Sequence, residues 1–133
     1  MITIPDKLKS ILIDSSNNTD IEIGFILLGS NDGDNYIIDR IVSINNASKS
    51  DHKFTPENED IIKIQEYCVE NGYNVLGFFH SHLYNTASPS RQDIELMKQS
   101  SQLWLIYSKL NNNMFAFTYK DKLESIEIVT IYT

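Results

Sequence analysis

The sequence predicts an α/β fold, with strands and helices layered around one mixed sheet. Short apolar runs bounded by turn residues recur along the chain and are typical of strands. Three other segments are predicted as helices, and elements mixed in this way pack as layers around a sheet. The chain has 133 residues, enough for one core, so we expect residues 1–133 to form a single domain.

The first half of the chain is predicted to form a helix followed by a hairpin of strands. Residues 5–14 place apolar side chains at helical spacing after Pro5, which suits the first turn of a helix. The nearly all-apolar run at 21–29 predicts a strand covered on both faces, with Glu22 as its one charge. A hairpin-turn sequence then leads into a second strand at 36–44.

The second half of the chain alternates between the two kinds of element. Polar residues at 45–56 predict a loop, and the helix predicted at 57–71 has acidic residues in its first turn and Gly72 at its end. The apolar run at 75–80 predicts a buried strand, and a further helix is predicted at 89–99. Three strand-like runs complete the chain, at 103–108, 114–120 and 125–133.

Composition and charge exclude several classes of protein. The formal net charge of −7 weighs against nucleic acid or an anionic membrane as the main partner. The single cysteine, Cys68, excludes an internal disulfide and a cysteine-based zinc site. No segment has the pattern of a signal peptide or the length of a membrane span, so we expect a cytoplasmic protein without a membrane partner.

A group of polar residues with metal-binding potential follows the apolar run at 75–80. His80 and His82 are one residue apart, and Ser90 and Asp93 come after them. Because side chains alternate along a strand, both histidines are expected on the same side, where Asp93 can add a third ligand from the following helix. Two imidazoles and a carboxylate suit zinc, and three protein ligands leave one position open, as in catalytic sites.

Together with Glu22, this group resembles the JAMM motif of the JAB/MPN metalloprotease family. The five positions of the motif fall on Glu22, His80, His82, Ser90 and Asp93. The runs EIGFILLG, VLGFFHSH and LWLIYS are similar to the strands of the family at the same places, and the resemblance covers about residues 20–108. One position departs from the family pattern, because Leu83 stands where a proline usually follows the second histidine.

The resemblance implies a single MPN-like domain with a central, curved, mixed sheet flanked by about three helices. It implies a Zn²⁺ ion bound by His80, His82 and Asp93. Glu22 then corresponds to the general base and acid, and Ser90 to the donor that stabilises the oxyanion. The implied reaction is hydrolysis of an isopeptide or peptide bond at the C-terminus of a ubiquitin-like or sulfur-carrier protein. The compact length resembles that of the small prokaryotic members.

Each of these residues also has an interpretation without catalysis. His80 and His82 alone fit surface or core histidines, and Ser90 with Asp93 matches a helix capping box. Glu22 alone could be a solvent-facing charge at the edge of a strand. The match of all five residues at the spacing of the family favours the joint site. The alternative function is that of a metal-free MPN scaffold or protein-binding module, and the complete ligand set argues against it.

Overall fold

Eight strands in one sheet and three helices make up the part of the chain that the computed structural model describes, residues 1–48, 54–100 and 102–132. In chain order the elements are β1 (Ile2–Pro5), α1 (Asp6–Asn17), β2 (Gly24–Asp32), β3 (Asn35–Ile44), α2 (Asn58–Asn71), β4 (Asn74–His82), α3 (Arg91–Ser100), β5 (Leu103–Ser108), β6 (Asn113–Tyr119), β7 (Leu123–Ile126) and β8 (Ile128–Ile131). Residues 49–53 of the predicted loop lie outside the described residues, and so does Thr133 at the end of the last predicted strand.

The sheet is mixed and curved. Its strand order is β7-β6-β5-β4-β2-β3-β1-β8, with parallel pairs at β4–β5, β3–β1 and β1–β8 and antiparallel pairs elsewhere. β7 and β8 lie at opposite ends of this order, yet only Glu127 separates them in the chain. The ends of the sheet therefore approach each other at Glu127, whose carbonyl accepts a hydrogen bond from Ile2 N–H at 2.8 Å. The predicted α/β fold around a curved mixed sheet is confirmed.

The two ends of the chain differ from the sequence prediction. Residues 2–5, which the apolar pattern leaves unassigned, form β1, and Pro5 is the N-cap of α1 rather than part of its first turn. The single strand predicted at 125–133 is split, because β7 pairs with β6 while β8 pairs with β1. Both differences depend on strand partners that lie far away in the chain, which a local pattern does not contain.

The two faces of the sheet are packed differently, because successive side chains on a strand point to opposite sides. One face packs against α1 in an apolar core that includes Leu12, Leu27, Phe79 and Leu105. The other face packs against α2 in a second cluster formed by Ile26, Leu28, Ile44, Ile64 and Cys68. By the same alternation, the even-numbered residues at the end of β4 lie on the face of α2.

The helices α2 and α3 frame that second face. α2 ends at Gly72 as predicted, since this residue adopts a left-handed conformation with φ of 71° and donates its N–H to the Cys68 carbonyl. α3 lies in the connection between the parallel strands β4 and β5, so its first turn follows the C-terminal end of β4. Among the described residues, no helix has the length and apolar character needed to cross a membrane.

Candidate metal centre

The C-terminal end of β4 carries two buried histidines side by side. His80 and His82 flank Ser81, so strand alternation points both imidazoles to the face of α2. Their Nε2 atoms are 3.1 Å apart, and the two residues are 3% and 4% exposed. β4 extends to His82, beyond the predicted end at residue 80, because its pairing with β5 continues up to Ser108.

Asp93, in the first turn of α3, reaches both histidines. Its Oδ2 atom lies 3.2 Å from His80 Nε2 and 3.2 Å from His82 Nε2. Ser90 orients this carboxylate, because Ser90 N–H donates to Asp93 Oδ2 at 2.8 Å while Asp93 N–H donates to Ser90 Oγ at 3.1 Å. The capping box that the S-x-x-D spacing allows is therefore present, and it holds the carboxylate at the site.

The three side chains fit a tetrahedral metal ion. Zinc bonds of about 2.0–2.2 Å in a tetrahedron place neighbouring ligand atoms roughly 3.3 Å apart. The corresponding separations here are 3.1, 3.2 and 3.2 Å. Within the described residues, His80, His82 and Asp93 are the group of three metal-ligating side chains that lie this close together. The group could therefore bind a metal ion, and two nitrogens with one oxygen suit zinc.

Hydrogen bonds set the protonation of these groups. His82 Nδ1 lies 2.7 Å from the Thr86 carbonyl oxygen, which can only accept, so Nδ1 carries a proton. Burial alone would lower the pKa of His82, but its hydrogen bonds to Asp93 and Thr86 raise the pKa above the ordinary value. Burial alone would raise the pKa of Asp93, and hydrogen bonds from His80 and His82 instead hold that pKa well below its usual range. Asp93 is therefore ionised.

Glu22 precedes a strand rather than lying in one. β2 begins at Gly24, so the prediction that the strand includes Glu22 is wrong at this end. The ladder becomes irregular at Ile23, whose N–H donates to Ser81 Oγ at 3.0 Å instead of to a main-chain carbonyl. The carbonyl of Ile23 still accepts from Ser81 N–H at 3.0 Å, so the segment remains attached to β4.

This attachment brings Glu22 next to the two histidines. Gly24 is the residue opposite His80 in the antiparallel register, and Ser81 N–H donates to the Ile23 carbonyl, so Glu22 lies beside the end of β4 that carries both histidines. The Glu22 carboxylate is close enough to contribute to the raised pKa of His82. Asn46 anchors the segment from its other side, because its Nδ2 donates to the Glu22 carbonyl at 2.8 Å.

One cleft of about 380 Å³ contains every residue that the sequence predicts for the site. It lies over the sheet between α2 and α3. The predicted residues in its lining are Glu22, His80, His82, Ser90 and Asp93. The apolar part of the lining consists of Ile44, Phe54, Pro56, Ile61, Phe78, Phe79, Leu96 and Trp104. The chemical roles of the five residues stay predictions, while their proximity is a property of the fold.

Some residues that hold the site in place are not predicted from the sequence. Ser81 is separated from its hydrogen-bonding partner Ile23 by 58 positions in the chain, and Asn46 is one of two adjacent asparagines in the polar loop. Thr86 acts through its main-chain carbonyl, which any residue would supply. None of these carries a local signal. The aromatic lining also has no local sequence signal, because its residues are distributed over three separate segments.

Leu83, the residue that departs from the family pattern, is buried. It is 6% exposed, so the side chain contributes to packing at the start of the loop after β4. The loop itself is fixed by two main-chain carbonyls. Thr86 accepts from His82, and Asn85 accepts from Ser108 Oγ at 2.7 Å. The ligand geometry therefore forms without the proline.

Comparison with known proteins agrees with this geometry. The family model described as prokaryotic homologs of the JAB domain matches residues 7–120. Among curated proteins, a desampylase from Pyrococcus furiosus is 25% identical over 129 residues, which covers 96% of this chain and 89% of that protein.

Two solved structures share the fold. A protein from Desulfitobacterium hafniense, solved in solution, is 28% identical with a TM-score of 0.84, and the match covers 100% of this chain and 94% of that one. A JAB1/MPN domain protein from Archaeoglobus fulgidus is 21% identical with a TM-score of 0.61, and the match covers 98% of this chain and 97% of that one. The similarity to the Archaeoglobus fulgidus protein shows a shared fold only.

Proposed function

This chain belongs to the family of prokaryotic homologs of the JAB domain, and we propose that it is a zinc-dependent isopeptidase or peptidase. Its substrate would be the C-terminus of a ubiquitin-like or sulfur-carrier protein. We take residues 1–133 as one domain of this family. The observation that carries the proposal is the convergence of His80, His82 and Asp93 in a cleft that also contains Glu22 and Ser90. The similarity to a desampylase, a name that denotes removal of a ubiquitin-like modifier, supports the substrate class.

Three residues would hold the metal ion. His80 and His82 supply imidazole nitrogens, and Asp93 supplies an ionised carboxylate that Ser90 orients. Zinc in this position would act as a Lewis acid toward water and toward the scissile carbonyl. The hydrogen bond of His82 to the Thr86 carbonyl fixes the orientation of its ring before any ion binds, which is the usual function of such a contact.

Glu22 is the proposed proton carrier. It would accept a proton from the attacking water as the carbon–oxygen bond forms, and would return a proton to the nitrogen as the carbon–nitrogen bond breaks. The products are then a free C-terminal carboxylate and a free amine. Glu22 lines the same cleft as the proposed ligands, where such a transfer is possible.

Ser90 is the proposed donor to the oxyanion. Its Oγ accepts a hydrogen bond from Asp93 N–H, so the hydroxyl proton remains able to donate. Ser90 lines the same cleft as the metal ligands. A donor directed at the carbonyl oxygen stabilises the negative charge that develops there when the carbonyl becomes tetrahedral. The cap and the catalytic role therefore use different hydrogen-bonding capacities of one hydroxyl.

The tail of the substrate would be slender next to the scissile bond. The ligands are almost fully buried, so small residues such as a terminal diglycine approach them most easily. The net charge of −7 suits a substrate protein whose docking surface is basic, and binding of this kind weakens as salt increases. An extended tail could also bond to an exposed strand edge through its main chain.

The test uses fusions in which candidate ubiquitin-like proteins are joined through their terminal glycine to a reporter. The zinc-loaded protein should cleave at that glycine, and a chelator should abolish cleavage until zinc is restored. Casein serves as the control for general proteolysis. Cleavage of casein as fast as any fusion would contradict the specificity for a C-terminal tail. A zinc-loaded protein that cleaves nothing would instead support the scaffold or binding-module alternative.

A further inference from the structure

An apolar chamber continues from the metal ligands into the rest of the cleft. Its floor consists of Phe78 and Trp104, whose ring centroids are 5.6 Å apart. The Trp104 ring meets His80 edge-on at 5.5 Å between centroids, and the Phe54 ring stacks against the other side of His80 at 6.4 Å. The chamber therefore begins at a proposed metal ligand and has an aromatic floor.

Two helices form the walls of the chamber and define its length. Ile61 of α2 lines one side, and Leu96 and Gln99 of α3 line the other. Asp93 and Gln99 are six positions apart on α3, which corresponds to roughly 9 Å at 1.5 Å per residue. An extended chain advances about 3.3–3.6 Å per residue. The chamber is thus long enough for a substrate side chain located two residues away from the scissile carbonyl.

The packing of the surrounding residues fixes the shape of the chamber. Gly24 lies opposite His80, and the Phe54 ring occupies the space above it. A Cβ atom at Gly24 would clash with the Phe54 ring, so any other residue would displace the ring. The Nε1 atom of Trp104 is buried, so the accessible part of this ring is apolar. Both features favour an apolar occupant.

We propose that this chamber selects substrates whose tail has a large apolar side chain, such as leucine or phenylalanine, immediately before a terminal diglycine. The inference rests on the proposed function, because the hydrolysis site at the metal ligands sets the position of the tail. The two glycines span roughly 7 Å from the scissile carbonyl, which brings the preceding side chain over Phe78 and Trp104. Burial of one such side chain corresponds to roughly a 10-fold to 100-fold preference over alanine.

Cleavage of a matched series tests this selection. One fusion is made in five forms that differ only in the residue before the diglycine, which is leucine, phenylalanine, alanine, aspartate or arginine. The wild-type protein should cleave the leucine and phenylalanine forms with a kcat/KM at least tenfold above that of the alanine form. The kcat/KM of the aspartate form should be lower than that of the alanine form. Equal kcat/KM for all five tails would overturn the chamber while leaving the hydrolase proposal intact.

A charged substitution in the wall of the chamber should change which tail is preferred, and a loss of stability alone would not cause such a change. Leu96 is 41% exposed, so Leu96→Glu should fold normally, lose the preference for leucine and gain one for arginine. Val69→Glu adds the same charge on α2 at a position that is 84% exposed and outside the cleft. It should keep the wild-type preference. The same loss in both variants would attribute the effect to net charge and contradict the assignment of the wall.

Trp104 permits a binding test that does not depend on catalysis. It is the one tryptophan of the chain, so intrinsic fluorescence reports directly on the chamber. N-acetyl-Leu-Gly-Gly should change the emission at concentrations at least tenfold below those needed with N-acetyl-Asp-Gly-Gly. If no fusion is cleaved but this difference is present, the chamber stands and the hydrolase proposal fails. If fluorescence shows no difference between the two peptides, the chamber assignment fails whatever the outcome of the cleavage assay.

Discussion

The two faces of the sheet use the same strands for different purposes. On the face toward α1, β2, β4 and β5 contribute Leu27, Phe79 and Leu105, which are at most 1% exposed and pack into a continuous apolar core. On the face toward α2, β4 contributes His80 and His82, which are equally well buried but polar. The difference between the faces is therefore one of chemistry and not of burial.

Burial of polar groups on the second face requires that they be paired. An unpaired buried carboxylate or imidazole loses the favourable hydration that it has in water. Asp93 avoids this loss through its contacts with both histidines and with Ser90 N–H. These contacts also place three ligand atoms around one point. The face toward α1 supplies stability. The face toward α2 can bury polar groups because they are paired with one another around the candidate metal site. Substitutions on the two faces should therefore have separable effects.

The largest effect is expected from removal of a ligand on the second face. His82→Ala deletes one of the proposed ligands, so the zinc content should fall from about one ion per chain to near zero and cleavage should become undetectable. Metal analysis after zinc reconstitution measures the first quantity and the fusion assay the second. His52→Ala, which removes the remaining histidine of the chain, is the control and should retain zinc. Full zinc occupancy of His82→Ala would contradict the ligand assignment.

Glu22→Gln sharpens the comparison within the second face, because it separates metal binding from proton transfer. The amide cannot accept the proton of the attacking water, so turnover should fall by a factor on the order of 10² or more while zinc is retained. The measurements are kcat on the best fusion and zinc per chain. Glu66→Gln, an exposed position on α2, is the matched control. A zinc-loaded Glu22→Gln protein with normal kcat would remove Glu22 from the mechanism.

Ser90→Ala tests a residue with a structural and a proposed chemical function. Loss of its cap to Asp93 N–H should cost about 1 kcal/mol of unfolding free energy. Loss of an oxyanion donor should lower kcat by roughly 10² to 10³. Urea denaturation and kcat on the same preparation give both quantities. A change in stability with kcat intact would leave Ser90 as a helix cap alone.

Leu105→Ala tests the face toward α1. Leu105 is fully buried there, and its truncation should cost about 2–5 kcal/mol of unfolding free energy. The zinc content and kcat of the folded protein should change little, because the side chain points away from the cleft. Denaturant unfolding and kcat at low temperature provide the comparison. A fall in kcat as large as that of Ser90→Ala would show that the two faces are coupled and not separable.

The pattern of apolar runs predicts most elements of this fold correctly. Strand β5 at 103–108 and helix α2 agree with prediction to within one residue, because the strand is a short apolar run and the helix has a clear period that ends at Gly72. The site can also be predicted from the sequence, since His80 and His82 share a strand face and Asp93 lies in the first turn of the next helix. These three come together once the loop between β4 and α3 is held in place, in part by the hydrogen bond from Ser108 Oγ to the Asn85 carbonyl.

Contacts between distant segments account for what the pattern misses. β1 is four residues long and exists because β3 and β8 pair with it on either side. The position of Glu22 depends on Ser81, and the chamber beside the ligands depends on Phe54 and Trp104 from separate segments.

By itself, the sequence determined the α/β class, the order of most elements and the three side chains that could bind a metal ion. Those properties follow from periodicity and from spacing within roughly a dozen residues, where the chain has few ways to place its side chains. Tertiary structure decided the approach of the two sheet ends at Glu127, the position of Glu22 in the cleft and the aromatic lining of that cleft. These depend on register between strands far apart in the chain, where a shift of one residue would reverse every side chain.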